Sequence, residues 1–314
     1  SGHTDIKFFM SVPGFDSNAL GFLRATEAAG THGALTLIHC EDWPIIRHSI
    51  DSLVARGRGA LRHYPESRPI VSEVVATQRA VAMCEVTGAP IYVVHLSSEA
   101  ALDVCREAQA RGLPVYVETR PLYLHLTRER FAEPDGAKYV GQPPLREESD
   151  VRALWDGIAS GAIHTVCTDH APWTLADKLD PALNVDNLRP GVENLQTMLP
   201  MLYSEGVRGG RISLEQLVAV TATNVARLFG LYPRKGTIAP GSDADLVLFD
   251  PNERRTVRDE DMLSGAGHSV YAGWDVTGWP RTTIRRGEVV FENGRIIAAA
   301  GSGQLLHRGP TQAL

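Results

Sequence analysis

PIYVVHLSSEAALDVCREAQARGLPVYVET, residues 90–119, is the stretch on which the fold turns. Its first part, PIYVVH (90–95), is a continuous apolar run, the pattern of a strand covered on both faces. Ser97 and Ser98 can cap the helix EAALDVCREAQARG, and PVYVET (114–119) is a strand again. A strand, a helix and a second strand at this spacing make a βαβ unit, whose two strands pair in parallel.

The same alternation extends in both directions. Upstream, DIKFFM (5–10) continues as an apolar run, SNALGFLRATEAAG (17–30) has helical spacing and closes at Gly30, and ALTLIH (34–39) is a strand. A helical region around 43–58, a proline-bearing loop RHYPESRP (62–69) and a helix over 70–88 ending at Gly88 follow. Downstream, a helix over 147–160 leads into IHTVCTD (163–169), and helices are expected around 192–204 and 213–229. KGTIAPGSDADLVLFD (235–250) and TTIRRGEVVFENGRI (282–296) read instead as short strands joined by glycine turns.

These elements predict an α/β chain of the TIM-barrel type. The barrel spans residues 1–233, a small β-sandwich subdomain 234–300, and a loosely ordered tail 301–314. Five barrel strands can be counted, at Lys7, His39, His95, Val117 and Val166, against eight in a closed barrel. The expectation is therefore an N-terminally incomplete barrel, with its first strands outside this sequence.

Composition bounds the function. The 314 residues are 43% hydrophobic and 22% charged, enough for a sizeable core. Lys and Arg total 31 against 37 Asp and Glu, a net charge of −6 without like-charge blocks, which argues against a nucleic-acid or membrane surface as partner. No apolar run approaches the ~18 residues of a membrane span and no signal-peptide pattern opens the chain, so a soluble, cytoplasmic protein is expected. Cys40, Cys84, Cys105 and Cys167 are scattered through apolar segments without CxxC spacing and read as free thiols.

The polar residues that end the strands carry the chemistry. LTLIHC places His39, IYVVHLSS places His95, and HTVCTDHAPW places Asp169 and His170 at strand C-termini, the face on which α/β barrels build their sites. Each has an ordinary reading: a strand-end histidine can be a hydrogen-bonded core residue, and an Asp-His pair can start a helix. Lys7, inside an apolar run on a fourth strand, can snorkel to solvent. Together they point to a divalent metal such as zinc, since imidazole and carboxylate suit it. Such a metal brings the pKa of bound water to roughly 7, and Asp169 could orient that water and carry its proton to a leaving group. Lys7 stands apart, because an ammonium has no lone pair for a metal.

DIKFFM, LIHCED, VVHLSS, ETRPLYL, GQPPLRE, TDHAP and KGTIAPGSDADLVLFD, in this order, resemble the cyclic amidohydrolases: dihydropyrimidinase and hydantoinase, with dihydroorotase and allantoinase as cousins. The resemblance runs to about residue 297, and GWDVTGWPRTTIRRGEVVFENG is most similar to the dihydropyrimidinase and hydantoinase branch. It implies opening of the C–N bond of a cyclic amide or ureide by metal-activated hydroxide. It also implies that CO₂ carboxylates Lys7, so that its carbamate bridges two divalent ions, taken as zinc. His39 and His95 would hold the second ion with the carbamate, Asp169 would bind the first and act as general acid and base, and His170 would sit behind them. A homotetramer is implied as well.

The sequence departs from that pattern in places. The family's His-x-His pair lies upstream of the lysine, and none of the 11 histidines here stand two apart, so only the Lys7, His39 and His95 site looks complete. Val12 stands where the hydantoinase branch has an oxyanion-binding tyrosine, and Gln142 where a serine precedes PPLR. Asn187 matches an asparagine that contacts the ring amide, and is equally a turn residue. Gln142, Asn187 and His170 are the substrate-side candidates. A dihydroorotase-like or allantoinase-like amidase, or a non-catalytic scaffold like the dihydropyrimidinase-related proteins, is the alternative. GSDADLV reads as a turn docking the small sheet, RDEDM (258–262) as solvated surface, and Arg120 and Tyr123 as either pocket mouth or loop packing.

Overall fold

The computed structural model describes residues 3–314. Strands β1 (Asp5–Phe9), β2 (Leu35–His39), β3 (Ile91–Val93), β4 (Val115–Thr119) and β5 (Thr165–Val166) form one parallel sheet in the order β1-β2-β3-β4-β5. Each strand pairs with its sequence neighbours and is reached by a helical crossover, the arrangement of a barrel wall. Helices Ala19–Thr31, Trp43–Ala55, Ile70–Thr87, Glu99–Ala110 and Glu148–Ser160 make those crossovers.

Local chemistry sets the boundaries. Asp42 accepts the Ile45 amide to start Trp43–Ala55, and Ser98 accepts the Ala101 amide at 3.4 Å to start Glu99–Ala110. Glu147 and Asp150 cap Glu148–Ser160 reciprocally. Gly88, at φ 67°, ends Ile70–Thr87 in a left-handed turn that returns its amide to Cys84. Ile38, Ile91, Val93 and Val117 are buried between helices and sheet, which is why their strands are apolar throughout. All four cysteines are free thiols, as their spacing predicts, and Cys167 alone among them is exposed.

The second half departs from the sequence reading at three points. Residues 192–197 are not helical; the helix begins at Met198 and passes at Leu202 into a wider π-type turn. The reason is that Val192 bridges His170 while the Asn194 and Leu195 amides are directed at the His170 ring, which holds the segment extended. Second, residues 235–245 form turns rather than a strand, because Lys235 is tied to Asp243 and Asp245. Asp245 also accepts the Arg286 amide at 2.7 Å, so GSDADLV is the docking turn expected of it.

Third, the small subdomain is one antiparallel sheet, not two layers: β6 (Leu246–Thr256), β7 (Asp275–Arg285), β8 (Glu288–Glu292) and β9 (Arg295–Ile296), in that order. Residues 275–281 escaped the strand reading because Gly278 and Pro280 interrupt it. The sheet accommodates them with a register shift where Phe249 faces Pro280. The helical run over 214–228 is present, with its middle turn widened at Ala219–Thr223.

Candidate active site

The site gathers at the C-terminal ends of the parallel strands. His39 is the last residue of β2, His95 lies just past β3, and Asp169 just past β5. The imidazoles of His39 and His95 face each other edge to face, centroids 4.5 Å apart. Both are buried, and loss of water is the main force holding each below the usual histidine value, His95 well below it. His95 Nδ1 is buried without a hydrogen-bond partner.

Among the described residues β1 is the edge strand of the sheet, and Lys7 is exposed on it, its Nζ 5.3 Å from the Phe9 ring centroid. The mouth still strips enough water from the amine to lower its pKa, against the opposing pull of Glu118, Cys40 and Asp169.

The carboxylates behind the histidines went unread in the sequence. Glu41, fully buried, meets His39 Nε2 at 2.7 Å and Arg68 Nη1 at 2.5 Å. Burial alone would raise its carboxyl, but Arg68 and His39 together hold it below the ordinary value. Glu73 accepts the Ser97 amide and both serine hydroxyls of the turn after His95. Glu118 on β4 accepts the His95 amide at 3.0 Å and the Tyr92 hydroxyl at 2.7 Å. A legible signal existed for Glu41 in LIHCED, since a metal-binding ring usually gives its other nitrogen to a carboxylate, carbonyl or water.

His95 and Asp169 have φ of 42° and 46°, a left-handed conformation worth about 1–3 kcal/mol of strain in residues other than glycine. Strain of that kind concentrates at functional sites. Asp169 is half exposed, and Arg120 Nη1 lies 3.4 Å from its Oδ2. Arg120 itself is 1% exposed, so it lines the interior behind the mouth, and Tyr123 is buried with its hydroxyl on the Pro143 carbonyl.

The substrate-side candidates are less uniform. Gln142 is half-buried in the loop that Tyr64 and Tyr123 anchor through Gly141 and Pro143. His170 braces the 192–195 segment through Nδ1. Asn187 is exposed, and its side-chain oxygen accepts the Asn184 amide at 2.7 Å, the turn-forming role. Val12 is 44% exposed.

A divalent ion fits this donor set in part. Two imidazoles kept neutral, one with an orphaned nitrogen, suit a metal ligand pair. Among the described residues no three His, Cys, Asp or Glu side chains stand close enough to hold an ion by themselves. A separate apolar cavity of about 670 Å³ lies between the 198–223 helical segment and the start of the small sheet, lined by Tyr203, Leu217, Val218, Ile238 and Phe249. It lacks histidine and is remote from this chemistry.

Comparison with known proteins agrees with the geometry. Residues 25–290 match the amidohydrolase family model. A D-hydantoinase from Rhizobium radiobacter is 38% identical over 314 aligned positions, covering 98% of this chain and 68% of that enzyme. The crystal structure of dihydropyrimidinase from Brevibacillus agri NCHU1002 superposes with a TM-score of 0.95 at 35% identity, over 100% of this chain and 69% of that one. L-Hydantoinase (dihydropyrimidinase) from Arthrobacter aurescens gives 0.89 at 33%, over 96% and 68%. With its parallel barrel wall, separate antiparallel sheet and strand-end histidines, this chain belongs to the amidohydrolase family, in the hydantoinase and dihydropyrimidinase branch.

Proposed function

We propose that this protein hydrolyses the C–N bond of a cyclic amide or ureide, of the hydantoin or dihydropyrimidine class, with the help of divalent metal. The carrying observation is the buried pair His39 and His95, 4.5 Å apart, at the mouth shared with Lys7 and Asp169. Lys7 as its carbamate, His39, His95 and Asp169 are the residues that would hold metal, with zinc and a two-ion site as the family-derived form of the proposal. Bound there, a divalent ion supplies Lewis acidity and a water of lowered pKa.

The chain's own residues do the rest. Glu41 keeps the His39 ring oriented through Nε2, and Glu118 holds the His95 backbone in its left-handed turn. Asp169, half exposed, takes a proton from the attacking water and passes it to the leaving ring nitrogen. Gln142 offers amide hydrogen bonds to the ring from a half-buried position, while Asn187 and His170 contribute through the loops they brace. Among the described residues no helix is long and apolar enough to cross a membrane. A cytoplasmic homotetramer completes the proposal, and sedimentation tests the assembly.

The test is direct. Protein purified with zinc and bicarbonate and then desalted is assayed for metal by elemental analysis and for ring opening of hydantoin, 5-phenylhydantoin and dihydrouracil. Metal binding and turnover are expected, with Asp169→Asn losing about 10²-fold or more in kcat. Metal-loaded protein that opens none of these rings, or an Asp169→Asn variant with full activity, overturns the reading.

A further inference from the structure

We propose that the end of β4, which supplies none of the expected metal ligands, positions two of them: Glu118 fixes His95, and Arg120 fixes Asp169. β4 lies between β3 and β5 in the sheet, so its last residues reach toward both neighbours. Glu118 and Arg120 are two apart in extended backbone and therefore share one side of the strand. Their targets are two of the non-glycine residues held at positive φ.

On the β3 side the grip is threefold. Glu118 Oε1 accepts the His95 amide at 3.0 Å, the Glu118 carbonyl accepts the Leu96 amide at 2.8 Å, and Thr119 Oγ1 donates to the Leu96 carbonyl at 2.8 Å. On the β5 side, the Cys167 amide donates to the Thr119 carbonyl at 3.1 Å and Arg120 Nη1 stands 3.4 Å from Asp169 Oδ2. An exposed carboxylate ordinarily samples several rotamers. Asp169 instead meets a guanidinium that is immobile, because Arg120 is 1% exposed and packed over the Tyr123 ring at 5.5 Å.

Filling space does not explain this arginine. Its Nε and Nη2 are buried without partners, a desolvation penalty that an apolar side chain of similar length would avoid. What only a guanidinium supplies here is a fixed positive charge beside the Asp169 carboxylate. Arg120 is 1% exposed and reaches the mouth through Asp169, so it is a positioning residue.

The proposal rests on the hydrolase reading only in its kinetic arm. Arg120→Met, Arg120→Lys and Glu118→Met are compared with the wild type in the full chain. Amide hydrogen exchange is followed at 167–171 and 94–97, together with melting temperature and the kcat and KM of zinc-loaded protein on hydantoin. Arg120→Met is expected to speed exchange at 167–171 alone, to keep its melting temperature, and to lose about 10–100-fold in kcat with KM unchanged. Arg120→Lys should recover part of that kcat, and Glu118→Met should speed exchange at 94–97. Should Arg120→Met not fold, Arg120→Gln carries the same measurements. Unchanged exchange at 167–171, or faster exchange over the whole chain with lysine no better than methionine, overturns the proposal. A wild type that opens no ring at all sinks the hydrolase reading instead, and the exchange arm still decides the positioning.

Discussion

Glu193 illustrates how far a single residue can diverge from its sequence appearance. It is 1% exposed, neither carboxylate oxygen has a hydrogen-bond partner, and burial, aided by Asp259, pushes its carboxyl up to about 7. Between the unfolded value of 4.5 and the folded one the native state binds the extra proton. This contribution to stability is complete below pH 4.5 and lost as pH rises through 7. At 1.36 kcal/mol per unit the window is worth on the order of 3 kcal/mol. Glu193→Gln, neutral at every pH, should flatten the stability profile between pH 5 and 8 in urea titrations, and equal slopes for the two proteins would refute it. The candidates the sequence singles out are those that end apolar runs: His39, His95 and Asp169 stand out because a polar group closes each run. Arg120 and Glu118 sit just as close to their strand end, but their partners lie just past β5 and β3, and no spacing within one segment shows a pairing between neighbouring strand ends.

At the scale of elements, caps and periodicity served well and tertiary demands did not show. Helices at 19–31, 43–55, 70–87 and 148–160 carry their own start and stop signals, and each lies within a few residues of its expected bounds. The segment 192–197 looked helical because its apolar spacing is helical, yet the His170 ring claims its amides. Crossover helices also carry constraints that only packing reveals. A Cβ on Gly157, in Glu148–Ser160, would come within 2.8 Å of both Leu102 and Ile163, where the helix meets its neighbour and the segment leading into β5. Gly157→Ala should therefore destabilise by about 1–3 kcal/mol through overpacking, against the gain that alanine gives an exposed helix. Chemical denaturation measures it, and a more stable variant would show that the contact yields.

Across the whole molecule, the barrel-type alternation was readable from one βαβ unit, and the separate small sheet from its change of period. How the two meet was not, because the contact hangs on a glycine. Gly278 on β7 has φ 103°, and a side chain there would collide with the rings of Tyr203 and Phe249, the first from the helical segment and the second from β6. Tyr203 and Phe249 pack edge to face at 4.8 Å directly over it. Gly278→Ala should undock the small sheet from the helices at a loss of at least about 2 kcal/mol, read as a red shift of Trp279 emission before the main unfolding transition. A single coincident transition with native emission would refute that.

The strand order holds a consequence for how the molecule is made. Every strand of the parallel sheet pairs with the strand before it in the chain, from β1 to β5. Among the described residues no pairing in that sheet joins strands distant in the chain, so each crossover closes only its own loop, an entropy cost that grows slowly with length. Within this stretch the wall can thus lengthen one crossover at a time in the order of synthesis, each strand meeting a neighbour already made.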